Sequence, residues 1–106
     1  MITEADAEKA VDWVRDNASR MAQERAERLY MEQWIKTVKA SLQQVFGGSA
    51  ASSEIEALAS PKYLAALQAF REAVQKDEHN RFLLAAAEAK IDAWRSQESS
   101  RRAGLH

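Results

Sequence analysis

The chain repeats an apolar residue every seven positions on both sides of a single Gly-Gly pair, and each row carries one charged interruption. The first row reads Ala7, Val14, Met21, Arg28, Ile35, Leu42; the second reads Tyr63, Phe70, Asp77, Leu84, Ile91. A seven-residue apolar period marks the seam of packed α-helices. Folding the chain back at its Gly/Ser-rich middle brings Arg28 level with Asp77 to within about one turn. The spacing therefore predicts an all-α fold: a long antiparallel helical hairpin, coiled-coil-like, with an ion pair inside its seam.

Local signals set the expected boundaries. Thr3 is a helix cap with Glu4, Asp6 and Glu8 near the positive end of the helix dipole. No breaker follows before Gly47, so a first helix is expected over residues 4–46, roughly 60 Å at ~1.5 Å per residue. Gly47-Gly48-Ser49 ends it, and residues 47–53 read as a small polar loop. A short helical turn is expected over residues 54–59, started by Ser52 or Ser53. Ser60-Pro61 is a cap followed by proline at the first helical position, opening a second long helix over residues 61–99. The polar run Lys76–Asn80 is its weakest stretch and a place for a kink. Residues 100–106 are expected to fray, and the whole chain reads as one domain.

The formal net charge of −1 is unevenly spread: −3 over residues 1–17, +2 over 18–46, −2 over 47–80 and +2 over 81–106. An antiparallel hairpin sets opposite signs side by side along its length. A parallel arrangement does not.

Around Arg28 and Asp77, the residues Arg25, Glu32, Asn80 and Arg81 extend a polar layer in the apolar seam. Such layers set register in coiled coils. Outside the seam lie Trp13, Leu29, Tyr30, Trp34, Phe82, Leu83 and Trp94, more apolar surface than two helices cover. These residues are the expected partner or dimer surface. Two hairpins joining as a homodimeric four-helix bundle is the economical way to bury it, and a short helix folding over the hairpin's end in a monomer is the alternative.

Chemistry is sparsely represented. Cysteine is absent, which removes thiolate catalysis, disulfides and Cys-based zinc sites. Asp77-Glu78-His79 lie in succession and so face different ways on a helix, and no His-x-x-x-His or Glu-x-x-His spacing occurs. Gly47-Gly48 lacks the Lys-Ser/Thr of a phosphate loop. No catalytic, cofactor-binding or metal residue is assigned, and an enzyme is not expected. Two basic groups, Arg20, Lys36, Lys39 and Arg95, Arg101, Arg102, are candidates for phosphate contact. The acids interspersed among them favour solvated faces with intrahelical pairing. The start of the chain lacks a signal-peptide pattern and no apolar run approaches bilayer length, so no membrane association and a cytoplasmic location are expected.

One resemblance adds to this reading. The second helix runs from Tyr63-Leu64-Ala65-Ala66-Leu67 through Arg71-Glu72-Ala73-Val74 to Ile91-Asp92-Ala93-Trp94-Arg95-Ser96-Gln97. With Arg25-Ala26-Glu27-Arg28, Tyr30 and Trp34 of the first, it resembles small all-helical proteins of tailed-phage and prophage genomes. The resemblance implies an accessory role beside a protein of phage DNA replication or recombination in the host cytoplasm. It carries over no catalytic or binding residue. The expected function is thus a non-enzymatic helical interaction protein. The alternatives are weak single-stranded nucleic-acid binding and inhibition of a host nuclease or defence complex. Steep salt dependence would mark phosphate binding, and a duplex mimic would need a far more acidic surface.

Overall fold

The computed structural model describes residues 1–104 and is all-α: α1 spans Glu4–Phe46, α2 Ala50–Ala59 and α3 Pro61–Gly104. The α1 bounds agree with the sequence expectation, and their causes are local. Thr3 and Asp6 form a reciprocal capping box, in which the Asp6 N–H donates to Thr3 Oγ1 at 3.1 Å and the Thr3 N–H donates to Asp6 Oδ2 at 3.0 Å. At the other end Gly47 and Gly48 both take positive φ, 66° and 79°. Only glycine adopts two such conformations in succession without strain, and the Gly47 N–H closes α1 on the Gln43 carbonyl at 3.0 Å.

Two helix bounds differ from expectation, the start of α2 and the end of α3. The loop expected over residues 47–53 spans only residues 47–49, and the turn expected at 54–59 is a full helix from Ala50. Its cap is Ser49, not Ser52 or Ser53: Ser49 Oγ accepts from the Ser52 N–H at 3.2 Å. Ser60 then serves two helices. Its N–H donates to the Ala57 carbonyl at the end of α2, and its Oγ accepts from the Lys62 N–H as α3 begins at Pro61.

The expected frayed tail is helical through Gly104, with Leu105 and His106 outside the described residues. An Arg101–Glu98 contact of 2.6 Å and the cations Arg101 and Arg102 near the negative helix end account for the extension. The helix assignment of α3 runs unbroken through Lys76–Asn80, the stretch read as its weakest. None of those five residues is a helix breaker.

The single domain read from the sequence divides into two compact units, Met1–Ala22 with the chain from Glu78 onward, and Gln23–Asp77. One boundary falls inside the polar run of α3. Within each unit an α1 segment pairs antiparallel with an α3 segment, as the contacts below show. Every residue of the two seven-residue rows is buried or half-buried. A second row lies beside each: Ala10, Asn17, Glu24, Met31, Val38 on α1 and Ala66, Ala73, Asn80, Ala87, Trp94 on α3, again all buried or half-buried. Among the described residues the buried apolar side chains are Ala7, Ala10, Met31, Leu42, Ala57, Ala66, Ala73 and Ala87. All but two are alanine, and no large side chain is completely enclosed. The most enclosed positions of the seam are mostly alanines, and its larger side chains are mostly half-buried.

Candidate functional site: polar ties and an apolar groove

In the unit containing Gln23–Asp77, Arg28 Nη1 donates to Asp77 Oδ2 at 3.1 Å, with the side chains 32% and 16% exposed. The pair crosses from α1 to α3 at the register read from the two charged interruptions. It is half-buried, not enclosed, so it keeps some solvation and the desolvation penalty of a fully buried pair is reduced. Arg25 and Glu32, expected in the same layer, are exposed. The reason is rotational. The second seam row passes through Glu24 and Met31, one position earlier, which turns 25 and 32 onto the flank.

In the unit formed by Met1–Ala22 and the chain from Glu78, Asn80 occupies the second α3 row at 3% exposure. Its Oδ1 accepts from Arg20 Nη1 at 2.9 Å, and Arg20 Nη2 also donates to Asn17 Oδ1 at 3.2 Å. Asn17 Nδ2 in turn donates to the Trp13 carbonyl at 2.8 Å. Asn80 Nδ2 is enclosed without a partner, a destabilising feature that coiled-coil seams tolerate where a polar side chain fixes alignment. Arg81, expected in the polar layer, is instead on the exposed flank, paired with Glu78 at 3.2 Å and stacked over Phe82 at 5.5 Å. In the same unit Ile2 and Gln97 exchange two hydrogen bonds. The Ile2 N–H donates to Gln97 Oε1 at 3.2 Å, and Gln97 Nε2 donates to the Ile2 carbonyl at 2.7 Å.

The candidate phosphate-contacting residues are mostly engaged by their own neighbours. Arg20 belongs to the Asn80 network. Lys39 Nζ donates to Glu54 Oε1 of α2 at 2.8 Å, Arg95 pairs with Asp92 at 3.8 Å and Arg101 with Glu98. Lys36 and Arg102 are exposed. The Lys39 contact raises the lysine above its ordinary value and holds the Glu54 carboxyl below the usual carboxylate range, in each case chiefly through that hydrogen bond. The Thr3 backbone N–H, then its hydroxyl, lower Asp6 in the same way. Among the described residues no cluster of histidine and carboxylate side chains is arranged to hold a metal ion.

The expected partner surface separates into exposed and half-buried members. Leu29, Tyr30, Trp34, Phe82 and Leu83 are exposed, while Trp13 and Trp94 are half-buried. Tyr30 and Trp34 stack with ring centroids 6.4 Å apart and planes 9° from parallel. In the unit Gln23–Asp77, Trp34 forms one wall of an open groove of about 500 Å³. Met31, Thr37, Val38, Ser41, Leu42 and Val45 of α1 complete that side, and Lys62, Ala65, Ala66 and Ala69 of α3 form the other. The groove is apolar, with Lys62 its one charged lining residue. Sequence reading found Trp34 but missed the alanine wall, because alanine is common in any helix and signals nothing until the second row is located.

No protein family, curated protein or solved structure matches this chain. Among the described residues, no helix is long and apolar enough to cross a membrane.

Proposed function

We propose that this protein is a non-enzymatic interaction module that works by packing helices on helices, first as a homodimer and then against a partner protein. The observation that carries the reading is the mismatch between its interior and its surface. The seam encloses alanines, while Leu29, Tyr30, Trp34, Val45, Phe46, Ile55, Leu64 and Phe82 are each at least 42% exposed. A chain of this size that buries so little apolar area is marginal alone, and an apolar exterior of this extent marks interaction surface. The resemblance to small helical proteins of tailed phages points to a partner in DNA replication or recombination within the host cytoplasm.

Sedimentation equilibrium of the purified chain tests the dimer. A two-chain species at micromolar concentration is expected. A monomer that keeps its helicity and melts cooperatively across the accessible concentration range would remove the reading. Direct nucleic-acid binding is disfavoured by the engagement of Arg20, Lys39, Arg95 and Arg101 with neighbouring side chains.

A further inference from the structure

We propose that the groove beside Trp94 receives a basic amphipathic helix of the partner protein, with an arginine or lysine of that helix held between Glu4 and Glu8. The proposal deepens the interaction role given above, on which it rests, by naming the partner's chemistry.

The site lies within the unit formed by Met1–Ala22 and the chain from Glu78. Val11 of α1 and Ile91 and Trp94 of α3 make its apolar floor, and Glu4, Glu8 and Asp12 stand along the α1 wall. Positions four apart share a helix face, so the three carboxylates form a row with steps of about 6 Å. At about 290 Å³ the groove is at the lower limit of small-molecule sites and has room for side chains.

Charge decides the occupant. Asp12 is already paired with Arg15 at 3.2 Å, and Arg95, the groove's one lining cation, is paired with Asp92 at 3.8 Å. Glu4 and Glu8 are exposed, and among the described residues neither meets a cation within ion-pair distance. The wall therefore holds two uncompensated negative charges beside an apolar floor. Like charges four residues apart repel along a helix, and a cation seated between them removes that repulsion. The groove beside Trp34 and the one along Leu64, Leu67 and Val74 are each lined by a single charge, the cations Lys62 and Arg71. Neither selects a basic partner.

An arginine or lysine suits both surfaces of the Trp94 groove at once. Its stem lies on Val11 and Ile91, and its head meets the carboxylates beside the indole ring, where cation–π attraction adds to the ion pair. A helix presents such cations at three- and four-residue spacing, which matches the row Glu4, Glu8, Asp12. Nucleic acid and anionic membranes meet repulsion at the same wall. A second copy's identical groove would set carboxylates against carboxylates.

The test uses the full chain and an acetylated, amidated peptide of about 15 residues, near the length at which isolated helices begin to hold. The peptide carries leucine and arginine at helical spacing, and its control carries glutamine for every arginine. Titration is followed by the indole N–H signals of Trp13, Trp34 and Trp94 in two-dimensional NMR. With the arginine peptide alone, the Trp94 signal is expected to shift and that of Trp34 to stay. The double variant Glu4→Gln, Glu8→Gln changes only exposed side chains and is expected to bind roughly fivefold more weakly. Val11→Lys places a cation on the floor and is expected to abolish binding, whereas Thr37→Lys in the Trp34 groove is expected to leave it unchanged. Circular dichroism establishes that each variant is helical.

Equal binding of the glutamine peptide, equal affinity in the double variant, or a shift of Trp34 in place of Trp94 overturns the proposal. A wild-type dimer that dissociates in Val11→Lys assigns the groove to a second copy and overturns it as well. A monomeric chain that still binds the arginine peptide at Trp94 upholds this site while the dimer reading fails.

Discussion

The two units share one heptad frame and solve it differently. In the unit Met1–Ala22 with the chain from Glu78, the helices are tied by neutral and singly charged hydrogen bonds, Ile2 with Gln97 and Arg20 with Asn80. In the unit Gln23–Asp77 the ties are ion pairs, Arg28–Asp77 and Lys39–Glu54, and an extra helix, α2, packs Ser53 and Ala57 inward. That second unit also carries the groove of about 500 Å³ beside Trp34, and a smaller one of about 290 Å³ lies beside Trp94 in the first. The contrast teaches that a seam whose most enclosed positions are alanines holds helices in register cheaply in volume but leaves many of the larger side chains half-buried or outside. Where they gather on one face, as around Trp34, they become a surface for something else.

The comparison is broken most forcefully at α2. Ala57 has no exposed surface, so Ala57→Glu is expected to destabilise by about 3 kcal/mol or more, because a charge would be enclosed without a partner. Loss of helical signal equivalent to α2, together with a lower melting temperature, is the readout. A variant that melts like wild type would mean that α2 contributes little to its unit.

The two polar layers predict opposite signs. Asp77→Ala leaves the half-buried Arg28 guanidinium without this partner and is expected to destabilise by about 1–3 kcal/mol in thermal or urea unfolding. Asn80→Leu replaces an enclosed, half-satisfied amide by an apolar side chain, and Arg20 is exposed enough to be hydrated instead. It is expected to stabilise by about 1 kcal/mol. If both substitutions destabilise equally, the seam makes no distinction between a paired and an orphaned polar group.

A smaller effect separates the Ile2–Gln97 tie. Gln97→Ala is expected to cost about 1 kcal/mol or less, seen as faster hydrogen exchange at the start of α1 with little change over residues 30–45. Equal acceleration in both places would show that the units open together.

Smallest of all is the pH response of the Lys39–Glu54 contact and the Thr3–Asp6 box. Glu54 and Asp6 are lowered in the folded state. Their stabilisation is present above the ordinary carboxylate value and is lost as pH falls through the lowered one. Lys39 is raised, so its contribution is complete below the ordinary lysine value and is lost as pH rises past the raised one. The melting difference between wild type and Lys39→Met is therefore expected to be present near neutrality and to fade below about pH 4 and above about pH 10.5. A difference that persists in acid would assign the effect of Lys39 to packing of its stem.

Much of the architecture is legible in the chain. Thr3, Gly47-Gly48 and Ser60-Pro61 mark three helix ends through interactions with residues a few positions away, and the rows through Ala7 and Tyr63 lie in the seam. The charged interruptions align Arg28 with Asp77 because α-helices have a constant rise, so nearly equal counts from the end of α1 and the start of α3 give nearly equal heights. Sequence alone placed Arg25, Glu32 and Arg81 in the layer, and it did not pair the exposed Arg20 with Asn80. These errors have one source. A heptad row states which residues recur on a face but not how far the helix is rotated about its axis. That rotation depends on the sum of contacts with the opposite helix, and it sends Glu24 and Asn80 inward and Arg25 and Arg81 outward. The alanine wall, the reach of Arg20 to Asn80 and the groove beside Trp34 follow from the same rotation, and so belong to the tertiary structure. Chain-neighbour chemistry determined the helices and their alignment; packing between them decided which side chains remain for a partner.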